Sequence, residues 1–178
     1  NSARFLKDGQ IVSIPAEDLF ARPEIIPIPG LGAFEGYPNR DSVPYRDVYG
    51  IPEALSILRG TLRYPGWCDT LRKMVELGLL DDAPKDRAGS TFLDLMRELS
   101  QGAPGGDVRA AISRRLDLDA GSAIMSRLDW LGLFEERKLP AEKGSALDNL
   151  AALMIEKLAY AGGERDMIVL QHEFLVRT

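Results

Sequence analysis

The order of patterns along the chain predicts an α+β (α/β) fold, a mixed or antiparallel sheet interrupted by a helical insertion subdomain. Three observations carry that prediction. Short apolar runs broken by proline fill the first third, capped amphipathic stretches fill the middle, and an apolar run returns at 166–176. The two ends then belong to one layer, residues 1–80 with 164–178. Residues 81–163 form the insertion, about 80 residues and so within the usual size of a small subdomain.

Each element has its own local signal. Gly9 to Pro15 and Ile25 to Gly30 read as edge or irregular strands, because proline cannot donate to a ladder. After Arg59 to Tyr64 the segment Pro65 to Leu80 carries Trp67, Leu71, Met74, Val75 and Leu79 at helical spacing, with Gly66 at its start and Gly78 near its end. Polar residues and Pro84 mark a boundary at Asp81 to Arg87. Ser90 or Thr91 then caps a helix through about Leu99, and Gly102 to Gly106 breaks it. Asp107 to Leu116 and Gly121 to Leu133 are the next helices, the second turning Ile124, Leu128, Leu131 and Trp130 inward. Ser145 caps a helix to Tyr160 with Leu147, Leu150, Met154 and Leu158 on its apolar stripe, and Gly162 and Gly163 end it. Asp166 to Val176 is expected as a strand.

Composition limits what such a fold can do. With 45% hydrophobic and 28% charged residues over 178 positions, the chain reads as an ordinary soluble globular protein. A net charge of −5 argues against a nucleic-acid surface, since phosphate binding requires a basic face. No run approaches the roughly 20 apolar residues of a membrane span, and the expected compartment is the cytoplasm. The single cysteine, Cys68, excludes an internal disulfide and reads as a small residue half-buried at a helix start. The chain opens Asn-Ser-Ala without an initiator Met, which suggests a fragment or a processed piece.

The most informative run is RGTLRY at Arg59 to Tyr64. In an extended backbone Arg59, Thr61 and Arg63 share one face at spacings of about 6 to 7 Å, with Leu58, Gly60 and Leu62 on the other. Guanidinium forks suit bidentate capture of carboxylate or phosphate, so the row suggests a seat for a small multiply anionic ligand. The competing reading pairs both arginines with structural carboxylates.

Other candidates for chemistry are weaker. The only histidine, His172, alternates onto the apolar face of Ile168, Leu170, Phe174 and Val176, which suits a core histidine better than a catalytic base. One His and one Cys make no zinc cluster, so no metal is expected. Gly30, Gly32 and Gly36 imitate the start of a dinucleotide fingerprint, but Tyr37-Pro38-Asn39 and Pro44 follow where a helix should open. No cofactor-binding residues are therefore assigned in this chain.

Several runs together carry a family likeness. GYPNRDSVPYRDVYGIPEA at Gly36 to Ala54, RGTLRYPGW at Arg59 to Trp67, KMVELGLLD after it, then WLGLF, GSALDNL and ERDMIVLQHEF at Glu164 to Phe174 resemble the L-glutamate-forming saccharopine dehydrogenases, or saccharopine reductases. The likeness runs over nearly the whole chain in matching order. It implies an oxidoreductase of lysine metabolism acting on the secondary amine of saccharopine. Such enzymes have an amino-terminal Rossmann domain for NAD or NADP, a substrate-binding α/β domain and a helical insertion, and this chain is similar to the latter two. The cofactor would thus be bound outside it.

The resemblance also implies roles for residues. Saccharopine carries three carboxylates, and Arg59 and Arg63 would clamp two of them, with Thr61 as a hydroxyl donor. Asn39, Arg40, Asp41 and Ser42 would form a loop bordering the same pocket, Asp41 facing a substrate ammonium. Either arginine could instead brace that loop, and Asp41 could pair with Arg40 or a backbone amide. The catalytic proton-transfer residues are not assigned. The expected partner is saccharopine or a similar polycarboxylate amino acid, with no nucleic acid and no membrane, and a homodimer by resemblance. Two alternatives remain open: a carboxynorspermidine-type dehydrogenase domain, or a non-enzymatic helical interaction module.

Overall fold

Residues Ala3–Lys7 (β1) and Gln10–Ile14 (β2) close into an antiparallel hairpin in a computed structural model that describes residues 2–102 and 105–176. The turn between them is Asp8-Gly9, at φ of 50° and 79°. Two positive φ values match the twist of a two-residue hairpin, which is why Asp-Gly suits it. Glu24–Ile28 (β3), Gly32–Pro38 (β4) and Gly60–Arg63 (β5) form a second antiparallel sheet in the order β3-β4-β5. Pro27 lies in β3, an edge strand, where its missing N–H is tolerated. The glycine pattern that imitates a dinucleotide loop is the β3-β4 hairpin, and Gly36 lies inside β4, where a Cβ would meet the Ile26 side chain.

Strand β1 is laced to two later segments of the chain. The Arg4 amide donates to the Arg40 carbonyl at 2.9 Å, and the Ser42 amide donates to the Arg4 carbonyl at 2.7 Å. Further along β1, Leu6 and Ile57 exchange both backbone bonds, at 3.2 and 3.0 Å. One strand thus fixes the loop after β4 and the segment before β5. Between them lies a short helix, Tyr45–Val48 (α1).

Most of the apolar core lies in the helices. Trp67–Leu77 (α2) ends at Gly78, Phe92–Ser100 (α3) begins at a Thr91–Asp94 capping box, and Val108–Arg115 (α4) is capped by Asp107. Ala123–Leu131 (α5) is capped by Ser122, and Ala146–Lys157 (α6) by a Ser145–Asp148 capping box. Met74, Leu77, Phe92, Leu95, Ile112, Met125, Leu128, Leu150 and Leu153 meet in one buried cluster. Among the described residues no helix is long and apolar enough to cross a membrane.

Several expectations are corrected. Trp130 is 59% exposed rather than inward, because Met125 and Leu128 fill the core side of α5. On α6 the buried face is Ala146, Asn149, Leu150 and Leu153, so Leu147 and Leu158 look outward, and the helix stops at Lys157 rather than Tyr160. The α3 terminus comes at Gln101 in the left-handed region, and residues 103–104 of the expected Gly102 to Gly106 break lie outside the described residues. Residues 166–176 form no strand: among the described residues the two sheets are β1-β2 and β3-β4-β5, and neither edge has the last segment beside it. Consequently Ile168, Leu170, Phe174 and Val176 are exposed, and so is His172, which stacks on Phe174 at 6.4 Å instead of entering a core.

Candidate functional site

The two motifs of the sequence meet in backbone hydrogen bonds. The β4-β5 ladder pairs Glu35 with Arg63 and Tyr37 with Thr61, and the Asn39 amide extends it by donating to the Arg59 carbonyl at 2.8 Å. Alternation then sets Arg59, Thr61 and Arg63 on one face. Arg59 and Arg63 are exposed and Thr61 is half-buried.

Among the described residues neither arginine forms an ion pair with a carboxylate; each lies over an aromatic ring instead. The Arg59 guanidinium carbon stands 4.1 Å from the centre of the Tyr45 ring, and that of Arg63 stands 5.4 Å from Trp67. One Arg63 nitrogen also donates to the Leu62 carbonyl at 3.1 Å. A guanidinium held over a ring spends no N–H donor on that contact, so the donors that the backbone does not take stay available to a ligand.

The NRDS loop is divided in its roles. Ser42 is wholly buried, and its Oγ accepts from the Arg59 amide at 2.9 Å, so it braces the arginine row from behind rather than lining a pocket. The Asp41 carboxylate pairs with Arg4 at 3.0 Å and accepts from the Val43 amide at 3.0 Å. Arg40 is exposed with a left-handed φ of 54°. Together with Ser2, Arg4 and Asp41 it lines an open cleft of about 460 Å³, and Arg59 and Arg63 lie outside that lining. Asn39 is half-buried at the end of the ladder.

Directly across the ladder from Arg63, on the same face of the sheet, sits a charge that the sequence pattern did not single out. Glu35 is 7% exposed on β4, and its two oxygens accept from the amides of Gly66 at 2.7 Å and Cys68 at 2.8 Å, at the start of α2. Burial alone would raise its pKa, but the two amides and the nearby Arg127 guanidinium outweigh it and hold the carboxyl below its ordinary value. Burial, and then Glu35, push the Cys68 thiol up to about 12. Arg127 reaches from α5 to the Thr70 hydroxyl at 3.2 Å and the Gly66 carbonyl at 3.5 Å. A lone acid within the apolar β4 run was the available signal for Glu35; nothing local marked Arg127.

What the arrangement offers is a rigidly backed cationic strand, suited to orienting a polyanion. Among the described residues no three His, Cys, Asp or Glu side chains gather to hold a metal. The glycines that imitate a pyrophosphate cradle close a hairpin with no helix on it, so this loop is not a dinucleotide fingerprint.

A profile of the saccharopine dehydrogenase C-terminal domain matches residues 1–178. The chain belongs to that family. Saccharopine dehydrogenase (NADP(+), L-glutamate-forming) of Saccharomyces cerevisiae is 38% identical over 98% of this chain and 40% of its own length. The mitochondrial alpha-aminoadipic semialdehyde synthase of Bos taurus is 36% identical over 98% of this chain and 20% of its own length. In three dimensions, the apo saccharopine dehydrogenase (L-Glu forming) from Saccharomyces cerevisiae superposes with a TM-score of 0.77 at 32% identity, covering 90% of this chain and 38% of that one. The chain thus spans less than half the length of these relatives, and its α+β architecture matches the corresponding part of the yeast enzyme.

Proposed function

We propose that this chain is the substrate-binding portion of a saccharopine dehydrogenase-type oxidoreductase of lysine metabolism. The observation that carries the reading is the Arg59-Thr61-Arg63 face, whose two exposed guanidiniums have no carboxylate partner among the described residues. Saccharopine has three carboxylates, and two stacked forks would take two of them, with the Thr61 hydroxyl donating between. Asn39, whose amide bonds the Arg59 carbonyl, borders the same seat in this reading, and the exposed Arg40 follows it in the loop. Asp41 is occupied by Arg4 and by a backbone amide, so its role is to hold the loop.

In this reading residues 1–80 carry the substrate-binding layer, 164–178 belong to the same domain without adding a strand in 166–176, and 81–163 form the helical insertion. NAD or NADP would be held by another part of the full-length enzyme; the names of the fungal relatives favour NADP. This chain's share of the work is to bind and orient the substrate. The exposed Ile155 on α6, with Leu158 and Tyr160 just past its end, supports a contact surface for a second copy, and the reading takes the enzyme as cytoplasmic.

Calorimetric titration of saccharopine into the chain and into an Arg59→Ala, Arg63→Ala double variant tests the clamp. Binding by the parent and its loss in the variant is the expected result. Equal binding by both would sink the clamp. If neither binds, the same two substitutions in the full-length enzyme decide it through KM for saccharopine.

A further inference from the structure

We propose that Tyr45 and Trp67 are positioning residues for the substrate carboxylates, each ring fixing one guanidinium by its face; this rests on the reading of Arg59 and Arg63 as the clamp. A guanidinium has an apolar face and a donor-bearing edge. Anchoring it through a carboxylate would consume the edge, whereas anchoring it through a ring leaves the edge for ligand.

Buried polar groups fix each ring in turn. Ser42 serves Tyr45, since its carbonyl accepts from the Tyr45 amide at 3.2 Å while its Oγ accepts from the Arg59 amide at 2.9 Å. One fully buried residue therefore holds both members of the 4.1 Å stack. Trp67 is the first residue of α2, and the amides on either side of it, Gly66 and Cys68, both donate to Glu35. The aromatic floor is thus tied to the strands that carry the arginines. It sets the separation of the two forks, and so the spacing of carboxylates that the site accepts.

The test uses the full-length dehydrogenase, with saccharopine as the varied substrate. Tyr45→Leu should raise KM about fivefold with a smaller change in kcat, and Tyr45→Phe, which keeps the ring, should restore most of it. In an Arg59→Ala background, Tyr45→Leu should add nothing, because the ring acts only through that guanidinium. Trp67→Leu and Trp67→Phe are read the same way against Arg63→Ala. If Arg59→Ala and Arg63→Ala raise KM but the Leu variants do not, or if the effects add, the inference fails and the clamp survives. If the arginine variants leave KM unchanged, the clamp itself falls and the inference with it.

Discussion

Glu35 on β4 and Cys68 on α2 are joined across the β5-α2 turn, the glutamate Oε2 accepting from the cysteine amide at 2.8 Å while its other oxygen accepts from Gly66. A buried carboxylate here does the work of a helix cap, with the negative charge placed at the positive end of α2. It also fixes the turn that comes after Arg63. The strand that carries the candidate clamp is therefore held at its end by a charge whose two oxygens are taken by backbone amides.

Replacing Glu35 by Ala leaves two amide donors without partners, that of half-buried Gly66 and that of fully buried Cys68. The expected loss is about 2 kcal/mol of stability, measured by urea denaturation. An unchanged midpoint would show that water replaces the carboxylate without penalty.

The same group makes stability depend on acidity. Glu35 binds its proton less readily in the folded chain than at the ordinary value of 4.5. Its contribution is therefore complete above pH 4.5 and is lost as pH falls towards and through the lower folded value. Denaturation midpoints between neutral pH and about pH 3 should fall less steeply in Glu35→Gln than in the parent, and parallel curves would exclude the effect.

Cys68 should be inert in the native protein. It is wholly buried and its thiol is pushed up to about 12, so almost no thiolate exists near neutral pH. A disulfide reagent should label it only on the timescale of unfolding; rapid labelling without denaturant would contradict the burial.

Gly66 is required on two counts. Its φ is +88°, and a Cβ there would stand 2.5 Å from an Arg127 guanidinium nitrogen. Gly66→Ala should cost about 2 kcal/mol by thermal unfolding, and Arg127→Ala in the same chain should recover only the steric part, since the backbone strain remains.

Ser145 offers a purely local comparison. Its Oγ accepts from the Asp148 amide at 2.9 Å at the start of α6, and Ser145→Ala should cost about 1 kcal/mol. A loss near zero would mean that tertiary packing alone holds that helix end.

The chain by itself determined the features set within a few residues of one another. The edge strands broken by proline, the helix stop at Gly78 and the caps at Thr91 and Ser145 were all legible, because cap, turn and partner lie within one turn of backbone. The shared face of Arg59, Thr61 and Arg63 was legible for the same reason, since alternation is a local rule. What those arginines face was not. Tyr45 and Ser42 reach Arg59 through the loop between β4 and β5, Glu35 meets Gly66 across 31 positions, and Arg127 meets it across 61. The phase of α6 and the outward turn of Trp130, with Lys157 5.9 Å from its ring, were likewise decided by neighbours that a helical stripe cannot name. The last segment shows the limit most plainly. Residues 166–176 carry a strand's composition, yet a strand exists only where a second backbone completes its hydrogen bonds, and among the described residues none is placed beside them.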